Sequence, residues 1–145
     1  MAQKHGDFGD NVIVGTNEDD TIYGLEGNDT LTGGSGADTL YGGGDDDLFI
    51  AGYFTGHDGW KDRALRDSFH GDGGFDTVTY ASATERAWID IDPNVNAGWG
   101  AAWNDRVYNI EGVVGTVYND WIYGSRADNT LKGGAGHDNR IGRRG

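Results

Sequence analysis

A nine-residue unit recurs without a gap from residue 6 to residue 50, and it constrains the fold more than any other feature of this chain. Its clearest copy runs Gly33, Gly34, Ser35, Gly36, Ala37, Asp38, Thr39, Leu40, Tyr41: a glycine-rich turn, one aspartate and a three-residue strand. The sixth position reads Asn11, Asp20, Asp29, Asp38, Asp47, and the eighth reads Ile13, Ile22, Leu31, Leu40, Phe49. Five units in register define a repeat protein, whose core is buried between neighbouring units rather than around one centre. The unit returns at 115–123, 124–132 and 133–141, with Asp120, Asn129 and Asp138 at the sixth position and Ile122 and Leu131 at the eighth. Arg140 stands where the last unit needs an apolar residue, so the final coil is expected to be frayed.

Each unit has six turn residues and three strand residues, so two units close one coil and residues 18 apart stack. The sixth-position carboxylate then faces the gap between coils, with glycines bringing backbone carbonyls inward. A flexible turn offering only oxygen suits calcium better than magnesium, which wants strict octahedral geometry and its own waters. Zinc would want Cys or His at these places, and the chain has no Cys at all. Charge agrees: residues 1–58 carry twelve acids against one lysine, while 59–145 carry twelve against ten Lys and Arg. A net charge of -13 concentrated on the repeats argues for a cation and against nucleic acid or an anionic membrane. No run is long and apolar enough to insert in a bilayer, and nothing after Met1 has the pattern of a cleaved signal.

These units resemble the G-G-x-G-x-D-x-U-x repeat of the RTX (repeats-in-toxin, hemolysin-type) calcium-binding family, over 6–50 and 115–138 and more loosely between. The resemblance implies an all-β, right-handed parallel β-roll with several calcium ions, each between two turns 18 residues apart. One turn would give the carbonyls of its second and fourth positions, the other those of its first and third, with both sixth-position side chains. Thr16, Glu18 and Asp20 would then meet Gly33, Ser35 and Asp38. Leu25, Gly27 and Asp29 would meet Gly42, Gly44 and Asp47, and Thr116, Tyr118 and Asp120 would meet Gly133, Ala135 and Asp138. A weaker site would join Asp7, Gly9 and Asn11 to Gly24, Glu26 and Asp29, since Asn11 lacks the charge. The family also implies a secreted, extracellular bacterial protein exported by a type I route, of which this module is one part.

The whole chain reads as one module: a first block at 6–50, an aromatic-rich irregular region with degenerate linker coils at 51–114, and a second block at 115–141. Outward-facing Val12, Val14, Leu48 and Ile50 call for a cover, and the segment with Tyr53, Phe54, Trp60, Leu65 and Phe69 is the expected one. The unit recurs once at 71–79, where Asp58 lies 18 before Asp76 as a candidate partner. Asp90, Asp92, Asn94 and Asn96 have the spacing of an EF-hand loop but lack its Gly and closing Glu, so a strand end and turn at Pro93 is expected. Trp99, between Gly98 and Gly100, and nearby Trp103 suggest a second function, polysaccharide binding, against the plainer reading of buried core indoles. His5, His57, His70 and His137 lie in turns without a zinc or nucleophile motif, so the module is not expected to be an enzyme; the catalytic part of a secreted hydrolase, toxin or epimerase would lie elsewhere.

Overall fold

The computed structural model describes residues 1–51, 66–95, 99–102 and 104–143. Alternating turns and strands wind the chain between two parallel sheets. The first takes β1 (Gln3–His5), β3 (Thr21–Leu25), β5 (Thr39–Gly44), β7 (Ser68–Gly73) and β11 (Arg106–Tyr108) in that spatial order. The facing sheet takes β2 (Val12–Thr16), β4 (Thr30–Gly34), β6 (Leu48–Ile50), β8 (Thr77–Thr79), β12 (Gly112–Val114) and β14 (Thr130–Lys132). Register follows the 18-residue coil: Thr21 pairs with Thr39 and Leu31 with Phe49. This is the parallel β-roll.

Alternation along each short strand sends the eighth residue of the unit inward. Ile22, Leu31, Leu40, Phe49, Phe69, Val78, Val107, Val113 and Ile122 form one buried column between the sheets, and Ile13 and Leu131 close its ends half-buried. On the outer face of the first sheet the ninth-position rings of His5, Tyr23, Tyr41, His70 and Tyr108 stack, with centroids 4.6 to 4.9 Å apart. That spacing is simply the distance between paired strands, so the stack follows once aromatics occupy this place.

The middle of the chain departs from what its sequence suggests. Phe69 is no cover for the second sheet: it lies in β7, 1 % exposed, paired with Leu40 as the next rung of the core. Residues 52–65, with the rest of the expected cover, fall outside the described residues, while Val12 and Val14 are 78 % and 56 % exposed. Asp76 is registered with Asp47, and Asp58 lies outside the described residues. Coil separation there is 29 residues rather than 18, so eleven additional residues lie between these two turns, and the stack resumes at β7.

A third sheet orders β10 (Trp99–Gly100), β9 (Ala87–Asp90), β13 (Trp121–Tyr123) and β15 (Asn139–Ile141). Here β9 takes the place beside β13 that a plain roll would give to β11. Asp90 ends β9, and Asp92 and Asn94 cap a turn at Pro93, as expected for that run. Arg143 forks onto the Asp90 carboxylate at 2.8 and 2.7 Å. The last strand pairs with β13 but Asn139, Arg140 and Ile141 are all exposed, which fits a charged residue at the core position. Among the described residues no helix is long and apolar enough to cross a membrane.

Candidate metal centre

The sixth-position aspartates are held the same way, whereas Asn11 and Asn129 turn their side-chain oxygens onto the N–H groups of Asp7 and Ser125 in their own turns. The Asp38 Oδ1 accepts the Asp20 N–H at 2.8 Å, Asp47 Oδ1 the Asp29 N–H at 2.8 Å, Asp29 Oδ1 the Asn11 N–H at 2.8 Å, and Asp138 Oδ1 the Asp120 N–H at 3.0 Å. One carboxylate oxygen of each therefore reaches back to the preceding coil. Register leaves the other facing its own turn. In Asp29, Asp38, Asp47 and Asp76 that second oxygen, Oδ2, is buried without a hydrogen-bond partner among the described residues. A buried carboxylate oxygen left bare is costly, so its presence four times over needs a ligand or a proton to explain it.

The turns themselves explain which oxygens are bare. Asp20 and Asp120 follow Thr16 and Thr116, whose N–H and hydroxyl both donate to the carboxylate at 2.5 to 2.9 Å. In the turns ending at Asp29, Asp38 and Asp47 the second position is Leu25, Gly34 or Gly43, with φ of 94°, 102° and 116°, and no such bond forms. Glycine at the first position is required for a separate reason. A Cβ on Gly33 would collide with Asp38 Oδ2, so a side chain there would fill the space in front of the bare oxygen.

Each of the four expected turn pairs is brought together. Ser35 donates its N–H to the Thr16 carbonyl at 3.0 Å, and Gly36 lies against Glu18. Gly43 lies against the Leu25 carbonyl and Gly44 against the Glu26 side chain, while Gly27 abuts Gly9. Gly134 meets the Thr116 carbonyl and Gly136 meets Tyr118, stacking the turn of Gly133, Ala135 and Asp138 on that of Asp120. In the first turn Asp7 and Asn11 are tied to each other, the Asp7 N–H to Asn11 Oδ1 at 2.7 Å and Asn11 Nδ2 to Asp7 Oδ1 at 3.1 Å. No group of three or more His, Cys, Asp or Glu converges among the described residues, so any cation here would take much of its shell from backbone carbonyls. That donor set, two carboxylates with surrounding carbonyls, fits a hard ion of calcium's size.

Burial first, and then the charges of neighbouring acids, push the carboxyls of Asp38 and Asp47 up to about 6 and that of Asp76 to about 7, against backbone hydrogen bonds that pull them down. Burial alone would also raise Asp20, but the Thr16 hydroxyl and the N–H groups of Ala2 and Thr16 outweigh it and hold that carboxyl low. A raised acid favours its neutral form in the fold. The metal-free fold is thus unpenalised at low pH and loses stability as pH rises from 3.8 towards 6 or 7.

Several ladder residues are not apparent when 51–70 is taken as an interruption. Asp67 Oδ1 accepts the Asp38 N–H at 2.9 Å, and Asp105 Oδ1 accepts the Asp67 N–H at 3.2 Å while its Oδ2 takes the buried Tyr80 hydroxyl at 2.9 Å. Glu111 fills the same role for Asp76 at 3.0 Å. Counting back nine from the unit at 71–79 would have put Asp67 sixth and Phe69 eighth. A second ladder runs the opposite way at the fifth position: Asp10, Asp19, Asn28, Asp46 and Asn119 accept the N–H of the fifth residue one coil later, at 2.7 to 2.9 Å. Its signal is the run of paired Asp and Asn residues before each strand. Of the two indoles singled out, Trp103 lies outside the described residues, and Trp99 is placed by its backbone beside Trp88.

Stacked turns of this kind define a parallel β-roll with a carboxylate and carbonyl lining between its coils. The chain belongs to the RTX calcium-binding nonapeptide repeat family, whose model, in four copies, matches residues 5–40, 23–52 and 113–145, more than half of the chain. RTX nonapeptide repeats bind Ca2+, and the repeat is a structural element rather than a catalytic one. No curated protein matches this chain.

Proposed function

We propose that this chain is a calcium-dependent folding module of a larger protein exported by a type I route and working outside the cell. The observation that carries the reading is the set of bare, buried Oδ2 atoms on Asp29, Asp38, Asp47 and Asp76. The carbonyls of Thr16 and Glu18 with Asp20 would hold one ion against Gly33, Ser35 and Asp38, and those of Leu25 and Gly27 with Asp29 would hold another against Gly42, Gly44 and Asp47. Thr116, Tyr118 and Asp120 with Gly133, Ala135 and Asp138 form a third site. A weaker fourth is made by Asp7, Gly9 and Asn11 with Gly24, Glu26 and Asp29. Bound calcium supplies positive charge where the fold would otherwise bury like charges. At low cytosolic calcium the chain would stay unfolded and exportable, and it would fold where calcium is plentiful. Calorimetric titration tests the assignment: several calcium ions bound per chain are expected, with magnesium at the same concentration giving no comparable heat. Equal binding of both ions, or none, would contradict it.

A second reading, polysaccharide binding, is favoured by a different place from the one its sequence suggests. Trp88, 39 % exposed, and Trp121, 48 % exposed, are neighbours across β9 and β13, and with Tyr123 and Arg86 they line an open cleft of about 420 Å3. Exposed indoles beside a guanidinium can stack on and hydrogen-bond a sugar ring. Trp121→Ala is expected to weaken binding of a polysaccharide roughly fivefold, one stacked aromatic contributing on the order of 1 kcal/mol. Fluorescence titration of the calcium-loaded protein measures it, and unchanged affinity would remove this reading.

A further inference from the structure

We infer that a calcium ion also sits between the turns 42–47 and 71–76, so that the metal column continues where the coil separation lengthens to 29 residues. The inference rests on the reading that stacked turns of this chain hold calcium, but neither the spacing nor the family match points here. Asp47 and Asp76 are 29 residues apart, and the matched spans stop at residue 52 and resume at 113.

Three observations place the ion. First, the strands leading into both turns are in register, with Gly43 opposite Asp72 and Gly44 opposite Gly73, and the Asp47 N–H donates to Asp76 Oδ1 at 2.9 Å. These two turns therefore stack as turns do elsewhere in the roll. Second, Asp47 and Asp76 are 2 % and 1 % exposed, and the Oδ2 of each lacks a hydrogen-bond partner among the described residues. Third, both turns carry a positive φ at their second residue, 116° at Gly43 and 67° at Asp72. Neither second residue makes the bond to the sixth-position carboxylate that Thr16 and Thr116 make, so the carboxylates are left available. Asp72 is not glycine, and a left-handed aspartate in the middle of a register-locked turn is a conformation its surroundings impose.

The packing is as tight as at the other turns. A Cβ on Gly71 would collide with Asp76 Oδ2 and with the Asn109 carbonyl, and one on Gly74 with the Asp45 carbonyl. By the roles that positions take elsewhere in the roll, the carbonyls of Gly43 and Asp45 with Asp47 would face those of Gly71 and Gly73 with Asp76. Asp47 then serves two ions, one on each side of its coil. On its other side Asp76 meets Glu111, whose Oε2 takes the Asp76 N–H.

Calcium content per chain, measured after dialysis at saturating free calcium, tests the site with Asp76→Asn and Asp72→Asn beside the wild type. Asparagine at 76 keeps an oxygen for the Asp47 N–H and removes only the charge. One ion fewer in Asp76→Asn is expected, with Asp72→Asn equal to the wild type. Unchanged content and affinity in Asp76→Asn would overturn the site. If that variant fails to fold in calcium, the wild type decides: crystals grown with calcium should show anomalous scattering between Asp47 and Asp76, and its absence there alone would overturn the site. A wild type that binds no calcium anywhere would instead overturn the reading beneath.

Discussion

Asp47→Asn is expected to lower calcium affinity and destabilise the calcium-loaded fold by about 1 to 3 kcal/mol, the range for removing a charged partner from a buried network. Its neighbour Asp46→Asn should cost under about 0.5 kcal/mol. The two residues carry the same charge in the same Asp triplet, so an effect of overall acidity would treat them alike. Their surroundings do not. Asp47 is 2 % exposed, with Oδ1 on the Asp29 N–H and Oδ2 bare, whereas Asp46 is exposed and its Oδ1 accepts the Phe75 N–H at 2.7 Å. Asparagine at 46 retains that acceptor, so little is lost. Calorimetric titration and thermal melts of both variants in calcium measure the contrast. Equal losses, or a larger loss for Asp46→Asn, would mean that the sixth-position ladder is not where the ion binds.

That contrast was legible in the sequence because one apolar residue, Phe49, sets the register of everything around it. The same logic placed Ile22, Leu31 and Leu40 in the core and left Thr and Tyr residues outside, since a nine-residue period with one large apolar residue allows only one inward position. Reading failed where the period breaks. After Ile50 the coil separation changes from 18 to 29 residues, and a residue such as Phe69 then looks like surplus aromatic surface although it is an ordinary rung. Asp67 and Asp105 escape notice for the same reason: no glycine-rich turn announces them, and only their backbone partners on the neighbouring coil reveal the place. The fifth-position ladder was hidden differently. A residue that varies between Asp and Asn looks like solvent-facing filler until the N–H one coil later is seen to need its oxygen. His70, which in sequence lies beside Ser68 and Asp72, is a rung in a column of stacked rings between Tyr41 and Tyr108.

Removal of calcium should have the largest effect of all. Strands of two to six residues hold the chain together, and much of each coil is turn whose backbone must be fixed at about 1 to 2 kcal/mol per residue. The metal-free fold also buries Asp29, Asp38, Asp47 and Asp76 with a bare oxygen each, and their raised pKa values reflect how burial opposes the charged form. Calcium reverses the sign of these contacts. With a dissociation constant of about 10⁻⁴ M, usual for extracellular modules, and calcium tenfold above it, each site adds roughly 1.4 kcal/mol and four sites on the order of 5 to 6 kcal/mol. This matches the whole stability of a small domain. Far-UV circular dichroism with thermal melting, recorded in calcium and after chelation, is the direct test. The calcium form should show β structure and a cooperative transition, and the chelated form should be largely disordered, with magnesium unable to restore it. A chelated protein that kept its β spectrum and melted near the temperature of the loaded form would contradict calcium-dependent folding.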